Sequence, residues 1–114
     1  MAGHEPLKPH WFQILLALAA EDRHGSAIMR AVLDQTQGAL RLWPVMLYSS
    51  LEQLTEAGYI AEVPARDRPA GESERRRFYR ITKTGRRVLA DEAERMADLA
   101  RAAKAQLAAA RRDA

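Results

Sequence analysis

The segment from Arg66 to Arg80 holds the residues best suited to a polyanion. Arg66, Arg68, Arg75, Arg76, Arg77 and Arg80 stand there against Asp67, Glu72 and Glu74, so this stretch carries +3, the formal net charge of the whole 114-residue chain. Every cation in it is arginine, whose planar guanidinium pairs bidentately with phosphate. Such groups on a hairpin tip would neutralise phosphates and release counterions. An arginine in a narrow minor groove also senses the groove's width. Arg75, Arg76 and Arg77, with Tyr79, are the expected DNA contacts. Strand alternation sends Arg76 and Phe78 to one face and Arg77 and Tyr79 to the other. The plainer account of the same residues is a solvated charged loop.

A second set of groups lies on the stretch LWPVMLYSSLEQLTEAGYI, Leu42 to Ile60. Leu47, Leu51 and Leu54 recur at helical spacing and mark an inward face. Pro44 suits a first helical position, and Gly58 suits a left-handed residue past the end. On the other side, Ser49, Ser50 and Gln53 could read base edges, glutamine by pairing with adenine, and Met46 could meet a thymine methyl. Tyr48 borders the leucine face, so its ring can pack while its hydroxyl stays available. The plainer account here is an ordinary amphipathic helix.

Other chemistry is poorly supplied. There is no cysteine, hence no disulfide, thiolate nucleophile or thiolate metal site. His4, His10 and His24 lack metal-site spacing, and no cofactor is expected. Glu52 and Glu56 form an i, i+4 carboxylate pair on an exposed helix face, unlike the buried pairs with split pKa values used in acid–base catalysis. Neither a glycine-rich phosphate loop nor a serine elbow occurs. An enzyme is not expected. No run is long enough to span a bilayer, and the first ten residues lack a signal-peptide layout, so a cytoplasmic protein without a membrane partner is expected.

The elements that must position these groups follow in order. Pro9 to Glu21 reads as a first helix, apolar nearly all round and so buried on several sides. Glu21 to Gly25 reads as a turn. A second helix opens at His24 or Ser26 and closes with Gly38 at its left-handed end. The Pro44 helix is third. Tyr59 to Val63 and Arg77 to Ile81 read as the two strands of a hairpin, with a loop from Arg66 to Glu74 around Pro69, Ala70 and Gly71. Thr82 or Thr84 caps a long last helix. On it, Leu89, Ala93, Met96, Ala100, Ala103, Leu107 and Ala110 repeat at alternating steps of four and three, an a/d seam for a second copy of the chain. The order predicts a mainly α fold with a small β-hairpin: a winged helix-turn-helix over residues 9–82 and a dimerisation helix over 83–114. A core this small gains from association. Leu15, from the apolar first helix, joins the expected interface. Trp11, Trp43 and Met96 are candidates for a pocket that stacks a flat ligand, whereas Phe12 and Leu99 are expected in the core.

In this order the residues resemble the PadR family of bacterial transcriptional regulators, in its subgroup with one short C-terminal helix. The resemblance runs from about Ile14 to Arg87. Its marks are ILLAL followed by His24-Gly25, then Leu42-x-Pro44-x-x-Leu47-Tyr48, then Leu51-x-x-Leu54-x-x-x-Gly58-x-Ile60, and past the wing Arg76-Arg77-Phe78-Tyr79-Arg80-Ile81-Thr82 with Gly85. It implies a homodimer that binds a double-stranded DNA operator and represses transcription. By the same resemblance, Tyr48 lies near the phosphate backbone, Arg76 and Arg77 belong to the wing, and a flat aromatic effector releases the DNA. The chain departs from the family pattern at Val45, Met46, Ser49, Glu52 and Gln53, where the family usually has glycine, serine or threonine, proline, and basic residues. Trp43 stands where a side-chain cap is usual. The other reading these departures motivate is a winged-helix protein-interaction module that does not bind DNA.

Overall fold

The structure is a computed structural model, described here for residues 6–68 and 76–113. Its elements are α1 (Pro9–Ala20), β1 (Arg23–His24), α2 (Gly25–Gln35), α3 (Pro44–Glu56), β2 (Ile60–Glu62), a 3-10 turn (Ala65–Asp67), β3 (Phe78–Ile81) and α4 (Lys83–Asp113). This is the winged helix-turn-helix with a long C-terminal helix that the element order predicts.

Proline sits at the first turn of both α1 and α3, where a missing N–H has no partner to lose. The near-uniform apolarity of α1 has a direct cause, because α1 touches α2, β3 and α4. Ile14, Leu15, Ala17 and Leu18 are its buried residues. They join Ile28, Val32, Leu47, Leu51, Leu54, Ile60 and Ile81 in one core. The terminal carbonyls of α1 are met by side chains from elsewhere, Ala17 O by Arg23 Nε at 2.9 Å and Ala19 O by Arg86 Nη2 at 3.4 Å.

Three helix ends have an identifiable cause. The end of α3 is a Schellman motif: Gly58 takes φ 82°, with Tyr59 N donating to Leu54 O and Gly58 N to Thr55 O. The end of α2 differs from expectation. Gln37, at φ 53°, is the left-handed residue, and Gly38 follows it with a second positive φ and donates to Leu33 O. A non-glycine residue there costs roughly 1–2 kcal/mol. Thr82 caps α4 by accepting from Gly85 N at 3.0 Å, and donates to Gly58 O at 2.6 Å. Gly85 is required by close approach, since a Cβ there would lie 2.0 Å from the Tyr59 carbonyl oxygen.

The sheet is larger than the expected hairpin. Three strands run in the order β1-β3-β2, with Arg23 opposite Tyr79 and Ile60 opposite Ile81. The stretch read as a plain turn, Glu21 to Gly25, contains β1. A two-residue strand has no periodicity to read, so only its pairing with β3 defines it. The loop expected around Pro69, Ala70 and Gly71 falls outside the described residues, as do Arg75 and His4.

Two halves of α4 differ. Gly85, Val88 and Glu92 are buried against the rest of the fold, and Leu89 is half-buried on the core. Glu92 is only 1% exposed and is clasped by Arg95. From Met96 to Arg112 every residue is exposed. Leu15, expected at an interface between copies, is wholly buried inside its own protomer. Its position on an all-round apolar helix carried no information about which neighbour it meets. No helix among the described residues is long and apolar enough to cross a membrane.

Candidate nucleic-acid interface

The inward face of α3 is Leu47, Ser50, Leu51 and Leu54. At 100° per residue, the opposite face centres on Val45, Ser49, Glu52 and Glu56. Met46 and Gln53 lie on one flank, Tyr48 and Thr55 on the other. Exposure follows this geometry: Val45 is 84% exposed and Met46 only 40%. Ser50 is 3% exposed, so it faces the core and cannot read a base edge. Serine is small enough to sit beside three leucines, which its residue type alone does not reveal. Gln53 Nε2 donates to Ser49 Oγ at 3.4 Å, so these two groups are preset against each other. Trp43 leaves the start of α3 without a side-chain cap, as expected of an indole. It is 62% exposed, with the Arg41 guanidinium 5.6 Å from its ring centroid.

The flank that carries Tyr48 faces β3. One groove of about 320 Å³ is lined by His24, Gly25, Ser26, Tyr48, Arg76, Arg77 and Tyr79. A second, of about 360 Å³, runs between Tyr48, Glu52, Glu56, Glu62, Arg77 and Tyr79. Tyr48, Arg77 and Tyr79 belong to both. A Cβ on Gly25 would come within 2.9 Å of the Tyr48 hydroxyl. Glycine at the start of α2 therefore lets the tyrosine lie across that helix end.

The alternation expected of the wing strand is present. Arg76 Nη1 lies 2.9 Å from His24 Nε2, and the His24 and Phe78 rings meet edge to face at 5.3 Å. Arg77 instead sits beside Tyr79, whose hydroxyl pKa is raised by burial and by the charge of Glu62, with Arg77 opposing both. The Tyr79 hydroxyl therefore stays protonated and able to donate. His24 has two claims on it. Its Nδ1 accepts from Ala27 N at 3.3 Å to cap α2, while Nε2 faces the Arg76 guanidinium. A neutral imidazole has one acceptor nitrogen and one N–H, so it serves the cap or the arginine, one at a time.

Not all the basic segment is available. Arg68 pairs with Glu62 at 3.2 Å and donates to Val63 O. Arg80 holds Asp22 at 2.8 Å, and that contact raises its pKa. Both arginines brace the sheet, and among the described residues of this segment Arg76 and Arg77 line the two grooves.

The three residues expected to form a ligand pocket are dispersed in the protomer. Trp11 packs on the core from α1 with Lys8 Nζ 4.9 Å from its ring, Trp43 lies at the start of α3, and Met96 lies on the exposed half of α4. Among the described residues, the Trp11 indole N–H is buried without a hydrogen-bond partner. No cluster of three metal-ligating residues occurs among the described residues.

Comparisons with known proteins show the family and the fold. The family described as the transcriptional regulator PadR-like family matches residues 14–91. A transcriptional regulator from Clostridium thermocellum is 25% identical, with 83% of this chain and 86% of that chain covered and a TM-score of 0.69. A PadR family transcription regulator from Clostridium difficile shares the fold at TM-score 0.72 and 17% identity, covering 88% of this chain and 99% of its own. Bacillus subtilis PadR, solved in complex with operator DNA, superposes at TM-score 0.61 with 20% identity, over 74% of this chain and 46% of that one. No curated protein sequence matches the chain.

Proposed function

The chain belongs to the PadR-like family of transcriptional regulators, and from that premise we propose that it is a homodimeric, sequence-specific repressor of a double-stranded DNA operator. One observation carries the reading. Tyr48 of α3 shares one groove with Arg76 and Arg77 of the wing, and Glu52 and Glu56 of the exposed face of α3 share a second with Arg77. In this reading α3 enters a major groove. Arg76 and Arg77, with Arg75 beyond the described residues, meet phosphates or the adjacent minor groove. The Tyr48 and Tyr79 hydroxyls donate to the backbone, and Met46, Ser49 and Gln53 lie towards the bases. The same role places the protein with DNA in the cytoplasm.

The homodimer is proposed on the outer half of α4. Its seam residues Ala93, Met96, Ala100, Ala103 and Leu107 are exposed in the single chain, and Leu107 is 64% exposed. Pairing two such helices would cover them, with Leu89 at the inner end. Residues 9–82 would then bind DNA, while 83–114 pair and set two half-sites about one helical turn, ~34–36 Å, apart. The aromatic effector expected at Trp11, Trp43 and Met96 has support at Trp11 alone, whose indole N–H is buried without a partner among the described residues, with Lys8 beside the ring; an acidic aromatic compound would supply the missing acceptor.

The test is a titration of labelled DNA from upstream of the protein's own gene against scrambled DNA, at two salt concentrations. Selective binding that weakens with salt is expected. A second reading rests on Glu52 and Glu56, which stand at the centre of α3's outward face: a winged-helix module for protein partners. No binding at low salt, by a chain shown to be a folded dimer, would overturn the repressor reading in favour of that module.

A further inference from the structure

The outward row of α3 has a composition that restricts what it can read. No lysine or arginine occurs from Pro44 to Glu56, so the bidentate arginine–guanine contact is not available to this helix. The row offers instead an aliphatic side chain at the second helical position, Val45, and a carboxylate at the ninth, Glu52. Among the described residues Val45 is the most exposed of the large apolar ones. Among the described residues Glu52 makes no ion pair, so its charge is not committed within the fold.

Resting on the repressor reading above, we infer that α3 reads pyrimidines in its half-site, a thymine methyl at Val45 and a cytosine N4 amine at Glu52. The spacing follows from geometry. Seven residues at 1.5 Å rise separate them by about 10.5 Å, close to three base steps of 3.4 Å. Glu52 acts in both directions. It accepts from the exocyclic amine of cytosine, and it is repelled by guanine, whose O6 and N7 are both acceptors. Facing the phosphates, the carboxylate lowers affinity for every sequence, and the cytosine contact offsets that cost at the matching site alone. Glu56 shares this row one turn further on, where a straight helix leaves the curved groove, and it carries no base contact. Trp43, with Arg41 over its ring, flanks Val45 and extends the apolar end of the row.

The experiment is binding-site selection from random duplex DNA with the unaltered chain, Glu52→Ala and Glu52→Gln, each first shown folded and dimeric. The unaltered chain is expected to enrich half-sites holding thymine and cytosine about three base pairs apart. Glu52→Ala should lose roughly tenfold discrimination at the cytosine position alone, and bind scrambled DNA a few-fold more tightly. Glu52→Gln should move that preference to adenine, which simple charge removal would not do. Replacing the selected thymine by uracil should weaken binding by the unaltered chain a few-fold. If both variants enrich the same half-site as the unaltered chain, or the position prefers guanine, the inference is overturned while the repressor reading stands. If the unaltered chain enriches nothing, both fall.

Discussion

The α3 helix and the wing strand border the same grooves but are built on opposite plans. α3 exposes Val45, Ser49, Glu52 and Glu56 and has no cation. β3 and the residues just before it carry Arg76, Arg77 and Arg80, of which Arg80 is held by Asp22. In the proposed reading, affinity and selectivity are thus separated in space. The wing would supply attraction that any duplex feels, and the helix would supply contacts that most sequences fail to satisfy. Tyr48, seated over Gly25, joins the two.

The largest effect tests the division itself. Arg76→Glu with Arg77→Glu should weaken DNA binding by roughly 100-fold or more and flatten the salt dependence by about 0.9 in log–log slope per lost phosphate contact. Fluorescence anisotropy at several salt concentrations measures both. An unchanged salt slope would place the attraction elsewhere. Next comes the joint between the regions. Gly25→Ala should push the Tyr48 hydroxyl aside, because a Cβ there meets it at 2.9 Å. The end of a side chain can yield, so stability should change by less than about 1 kcal/mol. DNA affinity should fall about tenfold, the worth of a hydrogen bond to a charged group. Equal loss of thermal stability and affinity would reduce Tyr48 to packing.

A smaller effect is expected from the arginines that serve the sheet. Arg68→Ala and Arg80→Ala remove cations already paired with Glu62 and Asp22, so each should change DNA affinity less than about threefold. A loss as large as that of the Arg76/Arg77 variant would mean that these pairs open on binding. The smallest effect lies outside both regions. His10 on α1 has its pKa lowered from 6.5, first by burial and then by the charge of Lys8. The unfolded chain therefore binds a proton more readily at this position. Stability should fall as the pH drops through 6.5 and level off below the lowered value. Comparing thermal melts of the chain and His10→Gln between pH 5 and 8 isolates this contribution, and an identical pH profile would refute it.

Much of the fold was legible in the sequence because its signals are local. Pro44 and Gly58 bracket α3, Thr82 caps α4, and the leucine spacing of α3 gives its buried side. The misses have physical causes. β1 is too short to carry a period, and it exists through its pairing with Arg23 opposite Tyr79. Gln37 takes the left-handed position that Gly38 was expected to hold, because the helix ends one residue earlier than the glycine suggests. Ser50 reads as a polar surface residue, yet it lies 140° round from Val45, nearer the leucines. Counting the helical period from Leu47 would have placed it inward and put Val45 and Glu52 at the centre of the outward face. Leu15 reads equally well as core or interface, since an all-round apolar helix does not say which neighbour covers each side.

The sequence by itself determined the order of the four helices and the two hairpin strands, the ends of α3, the leucine face of α3, the concentration of positive charge near the wing and the small-residue repeat of α4. Each depends on residues within a turn or two of one another, where spacing and backbone preference decide. Only the tertiary structure decided which arginines remain at the grooves, that Gly25 makes room for Tyr48, that His24 stands between the α2 cap and Arg76, and that Gly85 lies against the Tyr59 carbonyl. Apart from the Arg68–Glu62 pair and the His24–Ala27 cap, those outcomes join residues about 20 to 60 positions apart. They depend on which surfaces meet when the core closes, and no local pattern encodes that.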